Sequence, residues 1–383
     1  MNKILTFFII FILSFPVYAK VSSKDINFPG KFYTKEIQSC SILPPYYLSS
    51  KRIEDKIRSL IGYDWPNDWK KNSNSMNVIH GGITEPMNFF YVATYNALIN
   101  KDENDIFKAK KILLDFAQNE ILYDSIGFNA VKKKPRCWKN NDPNSPCWYH
   151  QYEFAKDVLA NYILVAILLK DQLSSKEFEI VDKYITKFYK KFLKPQLNRK
   201  HEKGFFAMAN GLTGILIYSS WKEDDKLAAK TINKVFNMID DLFYEDGYIN
   251  NNSFRGYRGQ WYHSYGLNSA LGFVYVAKLW GADVPDNIQK KLIKSSEVAN
   301  LAILDWEKFK ERKYTGGENL NKISDPKNAI KHSHQEAYSL SKLMELVTNI
   351  KLEKDIAYLY KMRANQDYNG LDRLVGFNAN CIK

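Results

Sequence analysis

The stretch YEFAKDVLANYILVAILL, Tyr152 to Leu169, decides how the chain is read. It reads as apolar nearly all round, and a helix apolar on every side must be buried. Phe205 to Trp221 and Tyr262 to Trp280 repeat the pattern. Each is followed by an amphipathic segment. After a Ser174-x-x-Glu177 capping box, Val181, Tyr184, Ile185, Phe188 and Phe192 fall at helical spacing. Ala228, Ile232, Val235, Phe236, Ile239 and Phe243 do the same in the second, and Asp286-x-x-Gln289 opens the third. Upstream, Met87–Asn100 and Asp105–Gln118 also read as helices. Buried inner helices walled by amphipathic outer ones, repeating every ~50 residues, predict an all-α fold. The expected form is an α/α toroid, an incomplete barrel of helical hairpins, with a helical solenoid as the alternative. No linker rich in Pro, Gly or Ser divides the chain, so one domain is expected over residues 20–383.

Residues 1–19 read differently. Lys3 precedes the apolar run Ile4–Phe15, and Val17-Tyr18-Ala19 forms a small-residue cleavage pattern before Lys20. The run is too short for a membrane span, and its flanks fit a secretory signal peptide. Export to the periplasm or beyond is expected, with no stable membrane insertion afterwards. The net charge is +13, and Lys3 alone among the charged residues lies in the segment to be removed. An exported basic protein has acidic glycans and anionic lipids as partner classes, whereas export argues against nucleic acid. An oxidising compartment permits disulfides among the four cysteines. Cys137–Cys147 would close a short polar loop, and Cys40–Cys381 would tie the two ends.

The chemistry concentrates before the inner segments. Trp148-Tyr149-His150-Gln151-Tyr152 precedes the first, and Trp261-Tyr262-His263-Ser264-Tyr265 opens the third. A ring of hairpins brings equivalent points to one rim, so both strings are expected at one cleft. Asp246 to Gly281 adds Asn250, Asn251, Asn252, Arg255 and Arg258 at the same mouth. G-x-S-x-G, H-E-x-x-H, P-loop and dinucleotide motifs are absent, as is a Cys/His zinc spacing. His332-Ser333-His334 has no third metal ligand in view, and Asp240-Asp241 reads as a solvated face. No acid pair points clearly to glycoside hydrolysis, with Glu153 or Asp157 as candidates for one member.

Arginine, asparagine and tyrosine together fit β-elimination on a uronate chain. The proton next to a carboxylate is removed only if the carboxylate charge is neutralised, which Arg and Asn do by hydrogen bonding. A tyrosine beside cations can then act as base, and a protonated Tyr or a His can donate to the leaving oxygen.

Arg255-Gly256-Tyr257-Arg258, followed by Tyr262-His263-Ser264-Tyr265-Gly266-Leu267, resembles the R-G-x-R…Y-H-x-Y-A-L signature of the family-5 polysaccharide lyases, alginate lyases built on an α/α toroid. The likeness includes the spacing of seven from Arg255 to Tyr262 and the preceding Asp246-Gly247 turn. It covers about 35 residues closely (a motif-level match). Cys40 followed by Pro44-Pro45 weakly matches that family's N-terminal region. The resemblance implies Tyr262, Arg255 and Asn210 as catalytic residues and no cofactor. It departs at Gly211, where the family has a histidine beside the asparagine; His150, His201 and His263 are the candidate replacements. Arg258, His263, Trp261, Tyr265, Tyr149 and His150 are expected to line a groove for an anionic polysaccharide such as alginate.

Overall fold

A computed structural model describes residues 20–28, 85–120, 160–198, 205–255, 259–312 and 337–351. The expected signal segment and all four cysteines lie outside the described residues.

The described chain is helical: α1 (Glu85–Asn100), α2 (Glu103–Gln118), α3 (Asn161–Leu168), α4 (Ser175–Phe188), α5 (Phe205–Lys222), α6 (Asp225–Leu242), α7 (Gly259–Leu279), α8 (Asp286–Leu304), the short α9 (Trp306–Glu311) and α10 (Ala337–Thr348). Among the described residues no strand forms, only one antiparallel bridge, Phe243 with Ile249. None of these helices is long and apolar enough to cross a membrane.

Two layers are visible in the packing. One row runs α1 to α3, α3 to α5, α5 to α7 and α7 to α10, and the second layer pairs α2 with α4 and α6 with α8. The row contains the three all-round apolar segments of the sequence. Every residue of α3 is buried, as an all-apolar helix requires. In the second layer each helix buries one stripe. Val181, Tyr184, Ile185 and Phe188 are the buried residues of α4, and Ala228, Ile232, Val235, Phe236 and Ile239 are buried on α6.

The ends of these helices follow from local chemistry. Ser174 and Glu177 form the reciprocal capping box, the Ser174 amide donating to the Glu177 carboxylate at 2.8 Å. Two inner-to-outer connections use one device. Lys101 (φ +54°) precedes Asp102, and Glu223 (φ +52°) precedes Asp224. In each, the aspartate accepts a hydrogen bond from the backbone N–H three residues on and caps the next helix. The reading fails at α8, where Asp286 is already the first helical residue, Pro285 is the cap and no side chain closes it. Gln289 instead donates to the Val347 carbonyl at the end of α10. At α4, the helix widens into a π turn over Tyr189–Leu193, so Phe192 lies past its regular register.

Residues 20–28 run from α6 of the outer layer to the C-terminal end of α7. The Asn233 side chain of α6 accepts from Val21 N–H at 3.0 Å and donates to Val21 C=O at 2.8 Å. Asn27 N–H donates to Trp280 C=O at 2.7 Å, and Phe28 meets the Trp280 ring edge-on.

Candidate functional site

Between α6 and α7 the chain makes its most elaborate described connection. Phe243 and Ile249 form the bridge, and Tyr244 N–H donates to Tyr248 C=O at 2.9 Å. The expected Asp246-Gly247 turn lies at the tip, with Gly247 at φ +89°. Beneath it Tyr248, Phe254, Val298, Ala302, Trp306 and Phe309 form a small apolar cluster of their own. Arg312 covers this cluster. Its guanidinium lies 4.8 Å from the Tyr244 ring and 5.3 Å from the Tyr248 ring, and it pairs with the Asp246 carboxylate. The tip is thereby tied to the end of α9.

Arg255 follows directly. Its Nε donates to Asn251 C=O at 3.0 Å, and its guanidinium carbon lies 4.6 Å from the Tyr262 ring centroid. Asn251 holds φ at +59° to present that carbonyl, a conformation asparagine tolerates better than most residues. Arg255 and Tyr262 are both half-buried. A stacked guanidinium of this kind contributes ~0.5–1 kcal/mol at a partly exposed site. The two residues that the sequence puts forward as the reacting pair are therefore neighbours.

The helix begins at Gly259, three residues ahead of the segment read from the sequence. Successive helical residues point about 100° apart, which separates Tyr262 from His263. Tyr262 and Tyr265, one turn apart, share the half-buried face. Gln260, His263 and Ser264 are fully buried.

His263 therefore does not line a groove surface, contrary to its expected role against substrate. It is 0% exposed, and both ring nitrogens are occupied. Ser253 Oγ lies 2.9 Å from Nδ1 and already accepts from Ile249 N–H at 2.7 Å. The Ser295 carbonyl can only accept, so Nε2–H donates to it at 2.9 Å, and on a neutral ring Nδ1 then accepts the Ser253 hydroxyl proton. These bonds fix a neutral ring protonated on Nε2. Burial pushes its pKa down to about 4, with the Ser295 carbonyl partly opposing the shift. His263 joins the connection, α7 and α8, and it is a bolt for the site instead of a proton carrier.

Of the remaining expected residues, Asn210 and Gly211 lie early in α5 and Trp261 in the first turn of α7, their side-chain surroundings outside the described set. Arg258, Tyr149 and His150 lie outside the described residues, as do His201, Glu153, Asp157, His332 and His334. Asp240 departs from its solvated reading. It accepts from Lys291 Nζ at 3.0 Å and Asn287 Nδ2 at 2.9 Å, linking α6 to α8. Among the described residues no three His, Cys, Asp or Glu side chains come together as a metal site.

The sequence gives Ser253 no role and places Asn252 at the mouth of the cleft with its two neighbouring asparagines. Asn252 is 0% exposed, and its Nδ2 donates to the Tyr262 carbonyl at 2.9 Å. The run Asn250-Asn251-Asn252 marked the region as polar, but only the fold separates the partly exposed first two from the buried third.

Compared with known proteins, the chain matches no family model, and no curated protein matches it significantly.

Proposed function

We propose that the protein is an exported polysaccharide lyase that cleaves an acidic, uronate-containing polymer such as alginate by β-elimination. The observation that carries this reading is the placement of Arg255 over the Tyr262 ring, 4.6 Å from its centroid, on a half-buried face. A cation and a phenol in contact are the pair that the chemistry calls for. Arg255, with Asn210, neutralises the uronate carboxylate. Tyr262 takes the proton from the adjacent carbon and returns it to the leaving glycosidic oxygen. The C–H and C–O bonds break, a C=C bond forms, and the new non-reducing end is an unsaturated uronate. Charge neutralisation comes from side chains, so the reaction as written uses no cofactor. Tyr265, Trp261, Arg258, Tyr149 and His150 are assigned to the sugar groove. The two helical layers are read as part of an α/α toroid with this face on its rim, and the compartment as the periplasm or the exterior.

One feature favours a second reading, a toroid that binds an anionic polysaccharide without cleaving it. Glycine stands at 211, where the resembling enzymes carry a histidine. Purified mature protein incubated with a panel of acidic polysaccharides separates the two. The ultraviolet absorbance of unsaturated uronate should rise with one polymer and fall at least ~100-fold in Tyr262→Phe, the usual scale for losing a general acid or base. Retention of a polymer with no absorbance change would establish the binding protein.

A further inference from the structure

We infer that Asn252 is a positioning residue, whose amide fixes the backbone of Tyr262 so that Arg255 lies over the Tyr262 ring, and that Gly266 is the residue that makes room for it. The inference rests on the lyase reading for its catalytic consequence, but not for its geometry.

The connection and the helix are joined at two adjacent points. Asn252 Nδ2 donates to Tyr262 C=O at 2.9 Å, and Ser253 Oγ meets His263 Nδ1 at 2.9 Å. Two consecutive loop residues thus hold two consecutive helix residues. Arg255 is only three positions further on and turns back through its Nε to Asn251 C=O. The guanidinium is therefore fixed from one side of Asn252 and the phenol ring from the other. Movement of Asn252 would change the separation of the two.

The fit is close. A Cβ on Gly266 would lie 2.5 Å from Asn252 Nδ2 and 3.0 Å from its Cγ. A side chain end could ordinarily swing away from such a contact. Asn252 is fully buried, and swinging would break its bond to Tyr262. A Cβ on Gly259 would similarly lie 2.6 Å from Ser253 C=O, a backbone atom with less freedom. Both glycines permit the loop to lie directly on the first turns of α7. Asn252 Oδ1 is buried and has no hydrogen-bond partner among the described residues. An unpaired buried acceptor is unfavourable, so the bond from Nδ2 is what holds the side chain in this place. The glycine at 266, where the lyase signature has alanine, is thus one half of a pair with Asn252.

The test uses full-length mature protein labelled with ¹⁵N at arginine Nε. The Arg255 Nε–H resonance, identified by its loss in Arg255→Lys, should carry a ring-current shift that disappears in Tyr262→Leu. In Asn252→Ala it should move to the position of a freely solvated arginine. Gly266→Ala should do the same, and adding Gly266→Ala to Asn252→Ala should change nothing further, because the two act through one contact. An unchanged resonance in folded Asn252→Ala would overturn the inference. So would an effect of Gly266→Ala that persists in the absence of Asn252, and an unchanged resonance in the single variant Gly266→Ala would overturn it even if Asn252→Ala does not fold. On an accepted polymer, Asn252→Ala should lower kcat by ~100-fold with KM little changed, the cost of ~1 Å of misplacement. Full kcat in a variant that has lost the shift would leave the clamp in place and remove the Arg255–Tyr262 pair from the chemistry.

Discussion

The connection between α5 and α6 and the connection between α6 and α7 solve the same problem in opposite ways. The first is Glu223-Asp224, a residue at φ +52° followed by a capping aspartate. The second leaves α6 at Leu242 and reaches α7 only at Gly259. It holds the buried Asn252 and Ser253, and it packs on an apolar cluster shared with α8 and α9, on Arg312 and on the buried His263 of α7. A minimal turn has no interior and cannot shelter a polar group from water. A long connection with a floor can hold polar groups at fixed positions, which is what a binding or catalytic face requires. The short connections run from inner to outer helix, and the elaborate one runs from outer to inner. The distinct chemical character of the region thus follows from its place in the repeat.

The largest expected effect lies at the simple end of this contrast. Trp221 closes α5 next to the short turn. It is 1% exposed, stacks on Phe178 at 5.0 Å, and donates to Asp182 at 2.9 Å. Trp221→Ala should cost ~3–5 kcal/mol in urea unfolding. The Arg255 resonance described above should nevertheless keep its place in the folded fraction. Loss of that resonance would mean that the two connections are not separable. At the elaborate end, His263 makes stability depend on pH. Its native pKa of about 4 lies below the ~6.5 of an unfolded histidine. Between those values the unfolded chain binds the proton and the native chain does not, so stability falls as pH is lowered. This contribution is fully present above pH ~6.5 and is lost progressively towards pH ~4, amounting to ~3 kcal/mol. The His263→Gln variant should unfold at lower urea at neutral pH, because Ser253 and Ser295 lose a matched partner, and should lack that part of the acid slope. An equal slope in the variant would place the titrating group elsewhere.

The same contrast explains what the sequence made legible. Burial of α3 and the stripes of α4 and α6 could be read from periodicity, because a helix facing a core repeats its demand every turn. The Ser174 capping box was legible because both partners lie within one turn. Asp286 misled because Pro285 takes the cap position ahead of it, and a cap depends on where the helix starts. His263 misled for a related reason. In a string it adjoins Tyr262 and shares its company, but once α7 begins at Gly259 the two point about 100° apart. Arg255 and Tyr262 were paired through a motif, not through physics visible in one dimension. Asn252 was not paired at all, since its partners, Tyr262 C=O and the vacant side of Gly266, are a backbone atom and a missing side chain, and neither leaves a mark in composition or spacing.

The smallest effect probes whether the simple connection is as independent as its chemistry implies. Asp224 accepts from Leu227 N–H at 2.9 Å and is exposed around that bond. Asp224→Ala should cost ~1 kcal/mol, the usual value of an N-cap. Asp224→Asn keeps an oxygen acceptor and should recover most of the loss. The shortfall that remains would report the interaction of the charge with the positive end of α6, at ~0.3–1 kcal/mol, and should shrink in high salt because the site is exposed. Neither variant should alter polymer turnover or the Arg255 resonance, since α6 is held to α8 by Lys291 with Asp240 and to the N-terminal segment by Asn233 with Val21. A change in turnover larger than the change in stability would mean that the start of α6 is coupled along its length to the connection at its far end, and the contrast between the two connections would then be one of appearance only.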